Sequence, residues 1–211
     1  MTYPAYATQS QFRSFVRDTS TLDTPLIEQA LLSASREVER ICGRHFYQTT
    51  QTQYFSPRPN DPYWVDLDDM ELATKTGLSV HVQWSNSIAN PYPEVRTVDV
   101  DFVLQPVNQS MNGIDGWPYT QMQSLAKIWP QRWSDFYMDT VKVTGTFGWD
   151  EIPDPVVQAT LMLAAAIYKS GEAPFGVAGF DNFGAVRVRG ENPMVTALLH
   201  PYRKQTTLFV A

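Results

Sequence analysis

The densest group of residues able to do chemistry is a run of carboxylates, Asp66, Asp68, Asp69 and Glu71. Oxygens at i, i+2 and i+3 can hold Ca²⁺, but an EF-hand loop also needs a glycine at its sixth position and a bidentate glutamate at its twelfth. Those positions are Glu71 and Gly77, so the run reads as a charged strand-to-turn segment and no metal is expected. Asp99 and Asp101 alternate with Val98, Val100 and Phe102, the pattern of a strand's solvent face rather than an acid/base pair. The histidines, His45, His81 and His200, are scattered and read as packed or solvated side chains. Cys42 is the single cysteine. Beside Gly43 at a helix end, it reads as a small apolar packing residue. The G-x-S-x-G elbow, the phosphate-binding G-x-x-x-x-G-K-S/T loop, the H-E-x-x-H helix and the G-x-G-x-x-G fingerprint are all absent. Neither catalysis nor a cofactor is expected. Aromatic residues of the middle segment, Tyr63, Trp64, Trp84, Trp117, Tyr119, Trp129 and Trp133, could form a sugar-binding platform. Burial in a core or a subunit interface is the preferred reading.

The 211 residues suffice for one domain, or one domain with a sizeable insertion. With 43% hydrophobic and 18% charged residues the chain is globular rather than disordered. No apolar run approaches the ~20 residues of a membrane span. The opening MTYPAYATQSQF has neither a basic stretch nor an apolar one, so no secretion signal is expected. The net charge of −6 is uneven. Residues 1–45 balance, with five basic and five acidic groups; residues 152–211 carry five against four, a net of +1. Residues 46–151 carry six basic against thirteen acidic, a net of −7. A segment that acidic repels a phosphate backbone, which argues against a DNA-binding module.

The elements that must position these groups are helical at both ends and extended in the middle. Thr8 and Gln11 form a capping box for a first helix carrying Phe12, Phe15 and Val16 on one face. Thr24 and Pro25 open a second helix, striped by Ile27, Ala30, Leu31, Ala34, Val38 and Ile41, with Arg36, Glu37, Glu39 and Arg40 around the stripe and Gly43 at its end. Its small alanines permit close approach of another helix, and Pro155 to Ser170 is the expected partner. Strands are predicted at 45–56, 63–67, 78–84, 97–104, 122–128 and 140–147, as an antiparallel sheet or small barrel, since no helical crossovers separate them. Asp154 and Pro155 open the third helix, which Gly171 ends. Glycines 171, 176, 179, 184 and 190 mark an adjustable loop. Asn192 and Pro193 then cap a last helix that Pro201 stops. The fold class is α+β: a helical core from residues 1–45 and 150–202, a β-rich insertion at 46–149, and an extended tail at 203–211.

Four stretches carry a family resemblance: residues 34–47 (ASREVERICGRHFY), residues 143–149 (VTGTFGW), the helix 155–169, and Asn192-Pro193 through Leu198-Leu199-His200-Pro201-Tyr202-Arg203. In that order and spacing the chain resembles the head-to-tail connector, or adaptor, proteins of long-tailed phages, especially those infecting actinobacteria. The resemblance implies a helical connector core with a β insertion, assembled as a homo-oligomeric ring of twelve copies beneath the portal protein. It also implies a stopper or tail-completion protein at the lower rim, and double-stranded DNA passing through the channel without sequence recognition. The expected location is the virion neck, after assembly in the host cytoplasm. The expected portal-binding residues are Leu198, Leu199, Tyr202, Arg203, Lys204, Leu208 and Phe209. The apolar ending of the tail fits, because it has little reason to stay apolar unless it docks. Rival readings are a sixfold tail-completion or stopper subunit, a carbohydrate-binding β module, and a hydrolase with an unrecognised site.

Overall fold

The computed structural model describes residues 3–17, 24–67, 71–84, 91–131, 139–172 and 192–204. The chain divides into two compact units, residues 1–47 with 152–211, and residues 48–151. Among the described residues, four α-helices and antiparallel sheets make the fold mixed α+β.

The first unit is helical. Helix α1 (Gln9–Val16) begins with the expected reciprocal box: Thr8 Oγ1 accepts from the Gln11 N–H, and the Thr8 N–H donates to Gln11 Oε1 at 2.8 Å. Helix α2 (Thr24–Cys42) takes Thr24 as its first helical residue rather than as the cap before it. It ends at Gly43, whose φ of +67° is the left-handed geometry glycine adopts without a Cβ clash. Helix α3 (Asp154–Glu172) also starts one residue earlier than expected and runs past Gly171. The Val156 and Val157 amides both donate to the Pro153 carbonyl, which pulls Asp154 into the first turn. Ala30, Leu31 and Ala34 of α2 share a core with Leu161 and Ala164 of α3, together with Phe12 and Ile27. The small side chains let the helix axes approach closely, as the alanine stripe requires. Helix α4 (Pro193–Leu199) is capped by Asn192, whose Oδ1 accepts from the Met194 N–H at 3.0 Å.

Among its described residues the second unit holds ten strands: β1 (Thr49–Phe55), β2 (Pro57–Arg58), β3 (Asp61–Asp66), β4 (Ser79–Val82), β5 (Glu94–Arg96), β6 (Phe102–Gln105), β7 (Ser110–Met111), β8 (Ile114–Asp115), β9 (Gln121–Ser124) and β10 (Val141–Phe147). They form two four-stranded sheets, ordered β1-β10-β4-β5 and β2-β3-β9-β6, and a β7-β8 hairpin. Alternation along β10 turns Val141, Val143 and Phe147 inward. They meet Val80 and Val82 of the same sheet and Val65, Phe102, Leu104 and Met122 of the other, with Leu72 and Trp129 in the same cluster. Leu72 bridges to Phe147 on one sheet and Tyr119 on the other, joining the two. Gly145 is small for a packing reason: a Cβ there would stand 3.2 Å from both the Leu72 and the Leu78 side chains.

Two expectations for the β-rich segment change. Asp99 and Asp101 lie in a turn rather than on a strand face, since Asp99 has φ +63° and Asp101 closes the turn by exchanging hydrogen bonds with Thr97. Strand β5 falls in the proline- and asparagine-rich stretch where no strand is expected. The adjustable loop lies outside the described residues, apart from Gly171.

Candidate assembly surfaces

In the helical unit, polar groups gather around Tyr6. Its hydroxyl donates to Glu39 Oε1 and accepts from the Phe46 N–H at 3.0 Å. Its own N–H donates to Ser35 Oγ at 2.9 Å, and that hydroxyl in turn donates to the Leu31 carbonyl. Arg36 Nη2 lies 3.1 Å from Glu39 Oε1 and donates to the Pro4 carbonyl at 3.0 Å. The Arg36 guanidinium sits 5.5, 5.8 and 5.7 Å from the rings of Tyr3, Tyr6 and Tyr47, within cation–π range of all three. Burial first, and the bond to Glu39 second, push the Tyr6 hydroxyl well above its usual value. Burial, the strongest single influence on Glu39, works to raise it. Hydrogen bonds from His45 and Tyr6, together with the charge of Arg36, outweigh that and hold its carboxyl below the ordinary range. This network ties the segment before α1 and the segment after α2 to one face of α2. Arg36 and Glu39 look like ordinary flanking charges in the sequence; the only hint of more is the tyrosine pair in Tyr3-Pro4-Ala5-Tyr6.

Of the seven residues expected at a portal contact, five are described. Leu199 is fully buried and Tyr202 is 5% exposed. Tyr202 packs edge-to-face on Phe46 at 6.2 Å, so the chain after Pro201 does have a place in its own core. Leu198, Arg203 and Lys204 are half-buried. The Lys204 N–H donates to the Cys42 carbonyl at 2.7 Å, anchoring the last described residue to the end of α2. Leu208 and Phe209 lie outside the described residues. The outer side of α4 leaves Met194, Ala197, His200 and Pro201 exposed.

In the β unit, the outer face of the β1-β10-β4-β5 sheet is a polar row with little charge. Thr50 faces Thr146 and Thr52 faces Thr144, their hydroxyls 3.3 and 2.8 Å apart. Tyr54 stands opposite Lys142, which in turn stands opposite His81. Tyr92 covers one end of the row. Its hydroxyl donates to the Asp139 carbonyl, and its ring lies 5.7 Å from Tyr54 and 6.0 Å from the Lys142 ammonium.

The other sequence candidates disperse. Asp66 accepts a two-pronged bond from Arg58 at 2.7 and 2.6 Å. Asp68 and Asp69 lie outside the described residues. Among the described residues no three His, Cys, Asp or Glu side chains converge as a metal site. Trp117, Tyr119 and Trp129 are core residues, Tyr63 and Trp84 are exposed, Trp64 is half-buried beside Arg58, and Trp133 lies outside the described residues. These rings do not form one platform: those of Trp117 and Trp129 are spent on packing. Burial pushes the Cys42 thiol up to about 12, which removes thiolate chemistry near neutrality. Among the described residues, no helix is long and apolar enough to cross a membrane.

No family model matches the chain, and no curated protein matches it. Solved structures do. A chain in the neck of an empty GTA particle, computed with C6 symmetry, is 16% identical, with a TM-score of 0.54 over 99% of this chain and 97% of that one. A chain in the neck of a native GTA particle, computed with C12 symmetry, is 16% identical, with a TM-score of 0.52 over 95% and 90%. A chain from the virion of a native gene transfer agent particle is 17% identical, with a TM-score of 0.50 over 99% and 95%. What this chain shares with these neck and virion components is the fold, over nearly the full length of both partners.

Proposed function

We propose that this chain is a structural, non-enzymatic subunit of the neck of a phage-like particle, one copy in a ring that joins the portal to the tail. The observation that carries this reading is the near full-length fold likeness to a neck chain. The C12 neck supports a ring of twelve copies. In this reading the helical unit is the connector core and the β unit an insertion in it. Double-stranded DNA crosses the channel unread. A β unit with a net charge of −7 does not grip phosphates, so the duplex passes with little friction. A stopper or tail-completion protein meets the lower rim, and the subunit resides in the virion neck after assembly in the host cytoplasm.

The portal contact is assigned to the C-terminal segment. Leu199 and Tyr202 hold α4 and the following turn in place from inside. Leu198, Arg203 and Lys204, with Leu208 and Phe209 further on, form the docking side, apolar anchors beside basic groups. A cut after Lys204 preserves both the Tyr202–Phe46 packing and the Lys204–Cys42 bond. The truncated chain is therefore expected to melt with the parent yet fail to join portal-bearing capsids. Normal occupancy by the truncated chain would move the contact elsewhere.

A sixfold stopper or tail-completion subunit is the second reading, favoured by the C6 neck. The number of copies per ring separates the two.

A further inference from the structure

The two four-stranded sheets have four terminal strands, and three of them are blunted. Strand β2 is two residues long, contains Pro57, and shifts register between Pro57 and Arg58. Strand β5 is three residues long with Glu94 and Arg96 at its ends. Strand β6 is four residues long, is bridged at Phe102 by Val98, and is followed by Pro106. Short length, charge, proline and irregular register are the devices by which native sheets keep another strand from adding to them.

Strand β1 has none of these devices. It is seven residues long, it pairs with β10 in unbroken register from Thr49↔Phe147 to Phe55↔Val141, and among the described residues no strand lies beyond it. Its sequence, TTQTQYF, has no charge and no proline, and its threonines and aromatics are favoured in strands. The twelve residues 46–57 are all uncharged.

We propose that the outer edge of β1 seats an extended segment of a second copy of this chain, which adds as a further strand to the β1-β10-β4-β5 sheet. Charge selects the occupant. Two copies of the β unit, each at −7, repel over most of their surface. Along β1 this chain presents no carboxylate, and Lys142 on the adjoining row of β10 offers a cation to the neighbour's acidic surface. Main-chain hydrogen bonds then supply affinity that needs no charge. The inference rests on the ring reading in one respect. Pairing of β1 with β1 would close a twofold dimer, whereas a larger ring needs a head-to-tail contact in which β1 meets a different segment of its neighbour.

Hydrogen exchange on the full chain, compared between dilute monomer and assembled protein, tests this. Within 49–55, the amides that point away from β10 are expected to slow at least about tenfold on assembly, while those of 141–144, paired with β1 on one side and β4 on the other, stay protected in both states. A T50E/T52E variant, altered only at exposed positions and adding to the like charge of the neighbour, is expected to melt close to the parent and to assemble only at roughly tenfold higher concentration. Assembly without added protection of β1, or unchanged assembly of the variant, overturns the inference and leaves the neck reading standing. Protection that appears only when portal is added overturns it in favour of another occupant. A chain that stays monomeric at every concentration, with and without portal, overturns both.

Discussion

The two units hold themselves together by different means. In the helical unit, bonds centred on Tyr6, Ser35, Arg36 and Glu39 join segments up to forty residues apart, beside an alanine-lined seam of α2 and α3 that also packs Phe12, Ile27, Leu31 and Leu161. In the β unit, thirteen buried residues from both sheets and the segments that join them form one apolar cluster, and the hydrogen bonds between side chains, among them the threonine row and the Arg58–Asp66 pair, lie outside it. A network of a few directional bonds is fragile to the loss of one partner, because a buried group left without its partner bears the full cost of desolvation. A broad apolar cluster is fragile to lost volume and indifferent to surface polarity. A single conservative substitution should thus reveal which unit it strikes.

The largest effect is expected in the β unit. Phe147→Ala removes a ring at the point where Leu72 ties the two sheets together, and should cost about 3–5 kcal/mol, read from the midpoint of denaturant unfolding. A loss under about 1 kcal/mol would mean that the cluster is looser than its burial implies. Next comes Tyr6→Phe, which deletes one oxygen and keeps the ring. It strips a bond from both Glu39 and the Phe46 amide, and should cost about 1–3 kcal/mol by the same measurement. The smallest effect is titration. The folded Glu39 carboxyl lies below its ordinary 4.5, so its contribution is complete above that value and is lost as pH falls through the depressed one. Arg36, His45 and Tyr6 face it and set the shift. In Glu39→Gln, stability should vary less with pH below about 4.5 than in the parent; equal slopes would show that the network does not depend on that charge.

The same contrast explains what could be read from the residues alone. The Thr8–Gln11 box, Gly43 and the Asn192–Pro193 start are legible because each is a bond or dihedral within a few residues. The inward alternation of β10 is legible as well, because a half-buried strand imposes period two. Strand β5 was hidden because pairing with β4, and not its own composition, makes it a strand. Asp99 misleads because its alternation with valines continues into a turn, where it bonds to Lys75, twenty-four residues away. The packing of Tyr202 is not legible in the residues around it because Phe46, which covers it, is 156 positions earlier. The Tyr6 network and the open β1 edge escape for the same reason. Both are defined by what lies beside them in space.

The central claim, a ring-forming subunit of a particle neck, is tested most directly by the mass of the assembly. Native mass spectrometry of the purified chain, alone and mixed with portal, is predicted to give a closed ring of twelve copies with portal present. A chain that remains a monomer or closes as a dimer in the presence of portal would contradict it.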